Sequence, residues 1–263
     1  MDLQLAGKSA LVTGSTAGIG LSIAEELVRE GATVFVTGRS RPKIDEALQK
    51  LVGGQSGGRA EGIVADAGTA EGAAAIIKQL AAVDILVNNL GIYEAKTFAE
   101  IPDEDWLKLF NVNVMSGVRL SRHYFPQMLT KGWGRVIFVA SESGIMTPSE
   151  MIHYGMTKSS QLALSRGMAE LTKGTQVTVN TILPGPTRSE GIVEFLMSVS
   201  PQAKDAAEAE AEFFRVHRSS SLLQRLIEPE EIAHMVAYLA SPLSAATNGA
   251  ALRVEGGLLR SIA

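Results

Sequence analysis

Tyr154 and Lys158 stand four residues apart in the run Tyr154-Gly-Met-Thr-Lys158. On a helix that spacing puts both side chains on one face, where they can meet around a shared ligand. A phenol beside an ammonium suits a reaction that gives or takes a proton at an oxygen. A free tyrosine has a pKa of about 10, so ionising it at neutral pH costs about 4 kcal/mol. A nearby ammonium favours the phenolate and lowers that cost. Ser141 closes the strand-like run Arg135-Val-Ile-Phe-Val-Ala140. Its hydroxyl would emerge at the carboxyl end of a sheet, where open α/β sheets bind ligands. There it would hydrogen-bond a substrate oxygen and stabilise developing charge. Taken singly, the tyrosine reads as a packed aromatic, the lysine as a solvated charge and the serine as a turn. His153 adjoins Tyr154, but neighbouring helical residues point about 100° apart, so it is expected to face elsewhere. A Ser-His-acid hydrolase is a weak reading, because no Gly-x-Ser-x-Gly elbow surrounds Ser141.

A second constellation lies near the N-terminus. Thr13-Gly-Ser-Thr-Ala-Gly18-Ile-Gly20 joins a short apolar run to a helical pattern. Glycines let such a loop turn sharply and approach a ligand, while the helix start presents free N–H groups to a pyrophosphate. Gly14, Ser15, Thr16, Ala17, Gly18, Ile19 and Gly20 are therefore the expected phosphate cradle.

These residues need a scaffold. Strand patterns at 9–13, 32–37, 62–65, 83–87, 135–140, 176–183 and 250–254 alternate with helical stretches, including 18–30 and 229–240. That alternation implies βαβ units, a parallel sheet and right-handed crossovers. The expected fold class is α/β, a Rossmann-type doubly wound parallel sheet of about seven strands with helices on both faces, in one domain spanning 1–263. GGQSGG at 53–58 reads as a surface loop. The exception to the alternation is 186–228, where Ile192, Phe195, Leu196 and Val199 share one helical face and Ala206, Ala209, Phe213 and Val216 suggest another. Such a long segment at the edge of a sheet is expected to be a lid with an apolar underside.

Composition narrows the classes. The 24 basic and 28 acidic residues leave a net charge of −4, against a nucleic-acid partner. Zero cysteines exclude a disulfide scaffold, a thiolate nucleophile and a cysteine-ligated metal. The four histidines lack zinc spacing, so no metal is expected. No apolar run approaches the ~18 residues of a membrane span, and the first residues show no export signal, so a cytoplasmic protein is expected.

The motifs together resemble those of the short-chain dehydrogenase/reductase family in its compact form, over nearly the whole chain. Thr13-Gly14 through Gly20 resembles TGxxxGIG, Asn88-Asn-Leu-Gly91 the family's Asn-Asn-Ala-Gly, and Tyr154 to Lys158 its YxxxK. Asn180 through Pro184-Gly185 resembles Asn-x-x-x-Pro-Gly, and Glu255-Gly-Gly257 the family's Asp-Gly-Gly. Leu90 replaces a small alanine, and Ala140 replaces the first of two serines while Ser141 keeps the catalytic position. The resemblance implies hydride transfer between a nicotinamide cofactor and a carbonyl/alcohol substrate, with Asn113, Ser141, Tyr154 and Lys158 as the catalytic set. It implies that Lys158 binds the nicotinamide ribose, that Asn113 holds a water behind the lysine, and that Pro184, Gly185 and Thr187 face the carboxamide. Asn89 and Gly91 join the cofactor site on the same ground, as do Asp66, at the adenine amino group, and its neighbour Ala67. It also implies a homo-oligomer, a tetramer or dimer, acting on a small molecule.

The cofactor's identity turns on the end of the second strand. NAD-selective relatives carry Asp where this chain has Gly38, followed by Arg39. A forked guanidinium matches a 2′-phosphate. NADP(H) is therefore favoured, with NAD(H) compatible, although no basic residue occupies 15–17. The alternative reading is a non-catalytic or regulatory nucleotide-binding relative on the same fold.

Overall fold

The computed structural model describes residues 1–51, 57–189 and 191–262. The chain begins with β1 (Ser9–Val12), α1 (Gly18–Arg29), β2 (Thr33–Gly38), α2 (Arg41–Leu51), β3 (Arg59–Val64), α3 (Ala70–Gln79) and β4 (Ile85–Asn88). It continues through α4 (Asp103–Phe110), α5 (Ser116–Lys131), β5 (Trp133–Val139), α6 (Ile152–Glu170) and β6 (Gln176–Pro184). It closes with α7 (Ile192–Val199), α8 (Ala206–Val216), α9 (Pro229–Ala240) and β7 (Ala251–Val254). A π-helical turn, Asn111–Met115, links α4 to α5.

The strands form one sheet in the order β3-β2-β1-β4-β5-β6-β7, every neighbouring pair parallel. The side-chain period of two sends Ala10 and Val12 to one face and Leu11 to the other. Ile23, Leu27, Ile232 and Val236 of α1 and α9 cover the first face. Ile76, Leu120, Tyr124 and Met128 of α3 and α5 cover the second. Burial on both faces explains the continuous apolar runs that mark the central strands. Sheet growth reverses between β1 and β4, which leaves a crevice beyond their carboxyl ends.

Three departures from the sequence expectation have physical causes. β3 starts at Arg59 rather than 62, because Arg59, Ala60 and Glu61 pair with Thr33, Val34 and Phe35 on the sheet edge, where one side faces water and apolar patterning fades. On α8 the buried face is Ala209, Phe213 and Phe214, whereas Ala206 and Val216 are exposed. The expected spacing had chosen a face one step round the helix. On α6 the buried stripe is polar, made of Thr157, Lys158, Gln161 and Ser165, which hides it from any apolar count. Leu162 packs near Ala140 and Leu183, and Leu164 and Met168 pack on the second core, but Leu171 is exposed. The predicted loop at 53–58 lies outside the described residues except for Gly57 and Gly58. No helix among the described residues is long and apolar enough to cross a membrane.

Candidate active site

The crevice at the switch point opens into a cleft with a cavity volume of about 320 Å³. Its floor is made by the loops after β1, β4, β5 and β6, and its roof by α7 and α8.

The glycine loop is shaped by local chemistry. Gly14 has φ +61°, a conformation that disfavours a side chain. Gly20 packs so closely that a Cβ would stand 2.4 Å from the Gly14 carbonyl oxygen and 2.5 Å from the Asn89 amide nitrogen. Asn89 ties the loop to β4 by donating to the carbonyls of Thr13 (2.9 Å) and Gly14 (3.1 Å). Helix α1 starts after Ala17 with no side-chain cap, so its first N–H groups remain available to a ligand. Gly14, Ala17, Ile19 and Gly20 line the cleft. Ser15 does not: it is fully buried, its hydroxyl donates to the Val12 carbonyl at 2.7 Å and accepts from the Thr37 N–H. It braces β1 against β2 rather than presenting its side chain to a ligand. An uncapped helix start, a loop lined by glycine and an open floor are the donor set a dinucleotide pyrophosphate requires, so the residues present fit that group.

The second strand ends in Gly38, followed by Arg39, with no carboxylate at either position. A Cβ on Gly38 would lie 2.6 Å from the Thr16 methyl, so Thr16 occupies the space an aspartate would need. Arg39 is exposed and makes no ion pair among the described residues, while Arg41 pairs with Asp45 at 3.7 Å. Asp66 is half-buried and its Oδ1 accepts from the Gly68 N–H at 3.0 Å, an Asx turn; Ala67 beside it is buried.

Ser141, Tyr154 and Lys158 converge on the cleft. The Lys158 ammonium lies 5.5 Å from the centre of the Tyr154 ring, donates to the Val139 carbonyl at 3.0 Å and is buried. Burial lowers its pKa to about 8, opposed by the Glu142 carboxylate. Burial also drives the Tyr154 phenol well above its ordinary value, with the Glu142 charge adding to the rise and a hydrogen bond with Ser141 opposing it. The Ser141 hydroxyl donates to the Glu142 carboxylate and accepts from the Ser143 N–H at 3.1 Å. Glu142 is itself buried, which raises its carboxyl pKa against the Ser141 bond and the nearby Arg218.

Asn113 sits at the π-helical turn and is fully buried, away from the cleft lining, whereas Asn111 is exposed. Its side chain accepts from the Ile92 N–H at 2.8 Å and donates to the Ile92 carbonyl and the Thr157 hydroxyl, and its own carbonyl accepts from Gln161 at 2.6 Å. It fastens the segment after Gly91 to α6, and a Cβ at Gly91 would meet the Lys158 ammonium at 3.3 Å. Such π-turns occur frequently at functional sites. His153 turns away as expected, fully buried with its ring 5.7 Å from that of Trp106.

Pro184 and Gly185 end β6 in the cleft, and Thr187 donates to the Gly185 carbonyl at 2.8 Å. Thr187 also bridges to Ile227, so the two ends of 186–228 are clamped side by side. Within that segment Ile192, Leu196, Phe213 and Phe214 form a core of their own. Glu190 lies outside the described residues.

Sequence reasoning missed Tyr93, Glu142 as a cleft residue, and the placement of Arg218. The Tyr93 ring stands edge-on to Tyr154 at 6.2 Å and to Phe195 at 5.9 Å, joining the candidate acid to α7. Arg218 is buried at the cleft wall, whereas an arginine in a connecting segment is ordinarily solvated. The one available signal was Glu142 adjoining Ser141.

Comparison with known proteins agrees with this geometry. The family model described as short chain dehydrogenase matches residues 8–196. An uncharacterised oxidoreductase, YvaG of Bacillus subtilis, is 50% identical over 100% of both chains. The 3-oxoacyl-[acyl-carrier-protein] reductase FabG of Vibrio cholerae is 33% identical, covering 97% of this chain and 99% of its own. The crystal structure of L-sorbose reductase from Gluconobacter frateurii, complexed with NADPH and L-sorbose, superposes with a TM-score of 0.90 at 29% identity over 100% of both chains. With the glycine loop, the Tyr-Lys pair and the parallel sheet in their expected places, the chain belongs to the short-chain dehydrogenase/reductase family, a family of oxidoreductases.

Proposed function

We propose that this chain transfers a hydride between NADP(H) and a carbonyl/alcohol substrate. The observation that carries the reading is the convergence of Ser141, Tyr154 and Lys158 on one cleft that also holds the glycine loop and the uncapped start of α1. The bound dinucleotide supplies or accepts the hydride. The residues do the rest. Ser141 orients the substrate oxygen and stabilises its developing charge. Tyr154 holds the proton that this oxygen gains in reduction and loses in oxidation. Its raised pKa keeps it a phenol at neutral pH, which suits reduction. Lys158, with a pKa near 8, carries positive charge there and stabilises the phenolate left behind. Asn113 acts from behind, fixing α6 and the segment after Gly91.

NADP(H) is favoured because Gly38 stands where a carboxylate would meet a ribose hydroxyl, Thr16 fills the space of that side chain, and Arg39 is exposed beside it. The L-sorbose reductase complex, which contains NADPH, supports the same choice. Segment 186–228 serves as a lid, its apolar core riding over the site while its ends are clamped by the Thr187–Ile227 bridge. The exposed Leu107, Phe110 and Leu171 suit a homo-oligomer.

The test is NADPH oxidation over a panel of ketones with Tyr154→Phe as control. Turnover should fall by about 10³-fold with NADPH affinity retained. Unchanged turnover would refute the role, and tighter binding of NADH than of NADPH would refute the cofactor preference.

A further inference from the structure

Resting on that hydride-transfer reading, we propose that Glu142 and Arg218 together read a hydroxyl on the carbon beside the reacting carbonyl, so that the substrates are hydroxylated ketones and the matching vicinal diols rather than plain ketones or acyl thioesters.

Both side chains line the cleft, and both are more than nine-tenths buried. The Arg218 Nε lies 3.8 Å from the Glu142 Oε1, within reach of charge attraction but beyond a hydrogen bond. That Nε–H has no hydrogen-bond partner among the described residues. Elsewhere on the guanidinium, Nη1 donates to Glu150 at 3.3 Å and to the His217 carbonyl at 2.8 Å, and the Phe213 ring lies 5.2 Å from Cζ. Glu142 receives the hydroxyls of Ser141 and Ser143, yet a carboxylate has about four acceptor sites, so capacity remains. A buried donor left open is rare and costly, which makes it a place for a ligand oxygen.

The chemistry of the pair selects the ligand. A hydroxyl is the group that can accept from the guanidinium and donate to the carboxylate at once. A second carboxylate does not suit the balance, because Arg218 already faces both Glu142 and Glu150. An alkyl chain would leave the open donor unmet, and sites built for a hydroxyl discriminate strongly against analogues that lack it. Position follows from the chain. Glu142 is one hydrogen bond from Ser141, the group expected at the reacting oxygen, so the hydroxyl it reads belongs to the adjacent carbon. Tyr93, Ile192 and Phe195 leave an apolar wall for the remainder of the substrate.

The experiment compares 1-hydroxy-2-butanone with 2-butanone in NADPH-dependent reduction, and 1,2-butanediol with 2-butanol in equilibrium binding to the NADP⁺ complex. The hydroxylated member should lead by at least about tenfold in kcat/KM and in Kd, the scale of one hydrogen bond to a charged group. Glu142→Gln and Arg218→Met should each shrink that ratio to less than about threefold. Arg218→Lys, which keeps the charge without the fork, should not restore it. Melting curves identify any variant that fails to fold, and the remaining ones decide. Equal use of both ketones by the wild type, or a ratio untouched in every folded variant, overturns the proposal. A protein that binds NADPH but reduces neither ketone contradicts the hydride-transfer reading, and the diol-to-alcohol binding ratio alone then judges this one.

Discussion

The glycine loop and segment 186–228 face each other across one cleft, and they are built from different materials. The loop is made of backbone. Its shape comes from Gly14 and Gly20, its anchor is Asn89 bonded to two carbonyls, and its working groups are the bare N–H groups of α1. The segment is made of side chains. Buried apolar residues of α7 and α8, among them Ile192, Leu196, Phe213 and Phe214, form a core separate from the sheet, and the segment's charged contribution to the cleft is the buried Arg218. In the proposed function the backbone site binds what is common to every substrate pair, the dinucleotide. A side-chain site can change its chemistry without disturbing the sheet, and the two are joined at Thr187 and Ile227.

Substitutions sharpen this contrast. Gly20→Ala should have the most far-reaching effect, on stability and cofactor binding together, because its Cβ meets backbone that cannot give way. About 3 kcal/mol of stability should go, with cofactor binding, and denaturant melts with NADPH titration measure both. Phe213→Ala should cost about 3–5 kcal/mol, but locally. Hydrogen exchange should quicken across α7 and α8 while the central strands keep their protection. Loss of protection across the whole sheet would break the distinction between the two regions.

Lys158→Met tests the floor between them. The ordinary lysine pKa of 10.5 is depressed to about 8 in the folded protein. Below pH 8 the folded protein therefore holds a costly buried charge, whereas above pH 10.5 neither state does. The variant should melt higher than the wild type at pH 7, by on the order of 3 kcal/mol, and the gain should fade as pH rises from 8 to 10.5. Calorimetry across that range reads the trend, and a gain that grows with pH would contradict it. Arg39→Ser should have the smallest effect. Because Arg39 is exposed, NADPH affinity should weaken by no more than about tenfold, less so at high salt, with NADH affinity unchanged.

The parts of the fold that were legible are those where one local rule dominates. The central strands declared themselves because both faces are buried, and α9 matched its expected range because Pro229 opens it with Glu231 completing a capping box. Edge strand β3 and the face of α8 were misplaced, since there the pattern depends on what packs against them. In the site, the Tyr154–Lys158 spacing and the glycine loop could be read directly. Ser15 could not, because nothing in its type distinguishes a hydroxyl that faces a ligand from one that braces two strands.

The amino-acid order by itself determined the parallel sheet, the glycine turn and the four-residue spacing of phenol and ammonium, because each is settled within one or two elements. Only the tertiary structure decided that Arg218 lies buried near Glu142, that Tyr93 leans on Tyr154, and that Asn113 works as a strut. These pairs are separated by 76, 61 and 21 residues. Such contacts exist only once the sheet has set where each loop ends, and no local propensity encodes them.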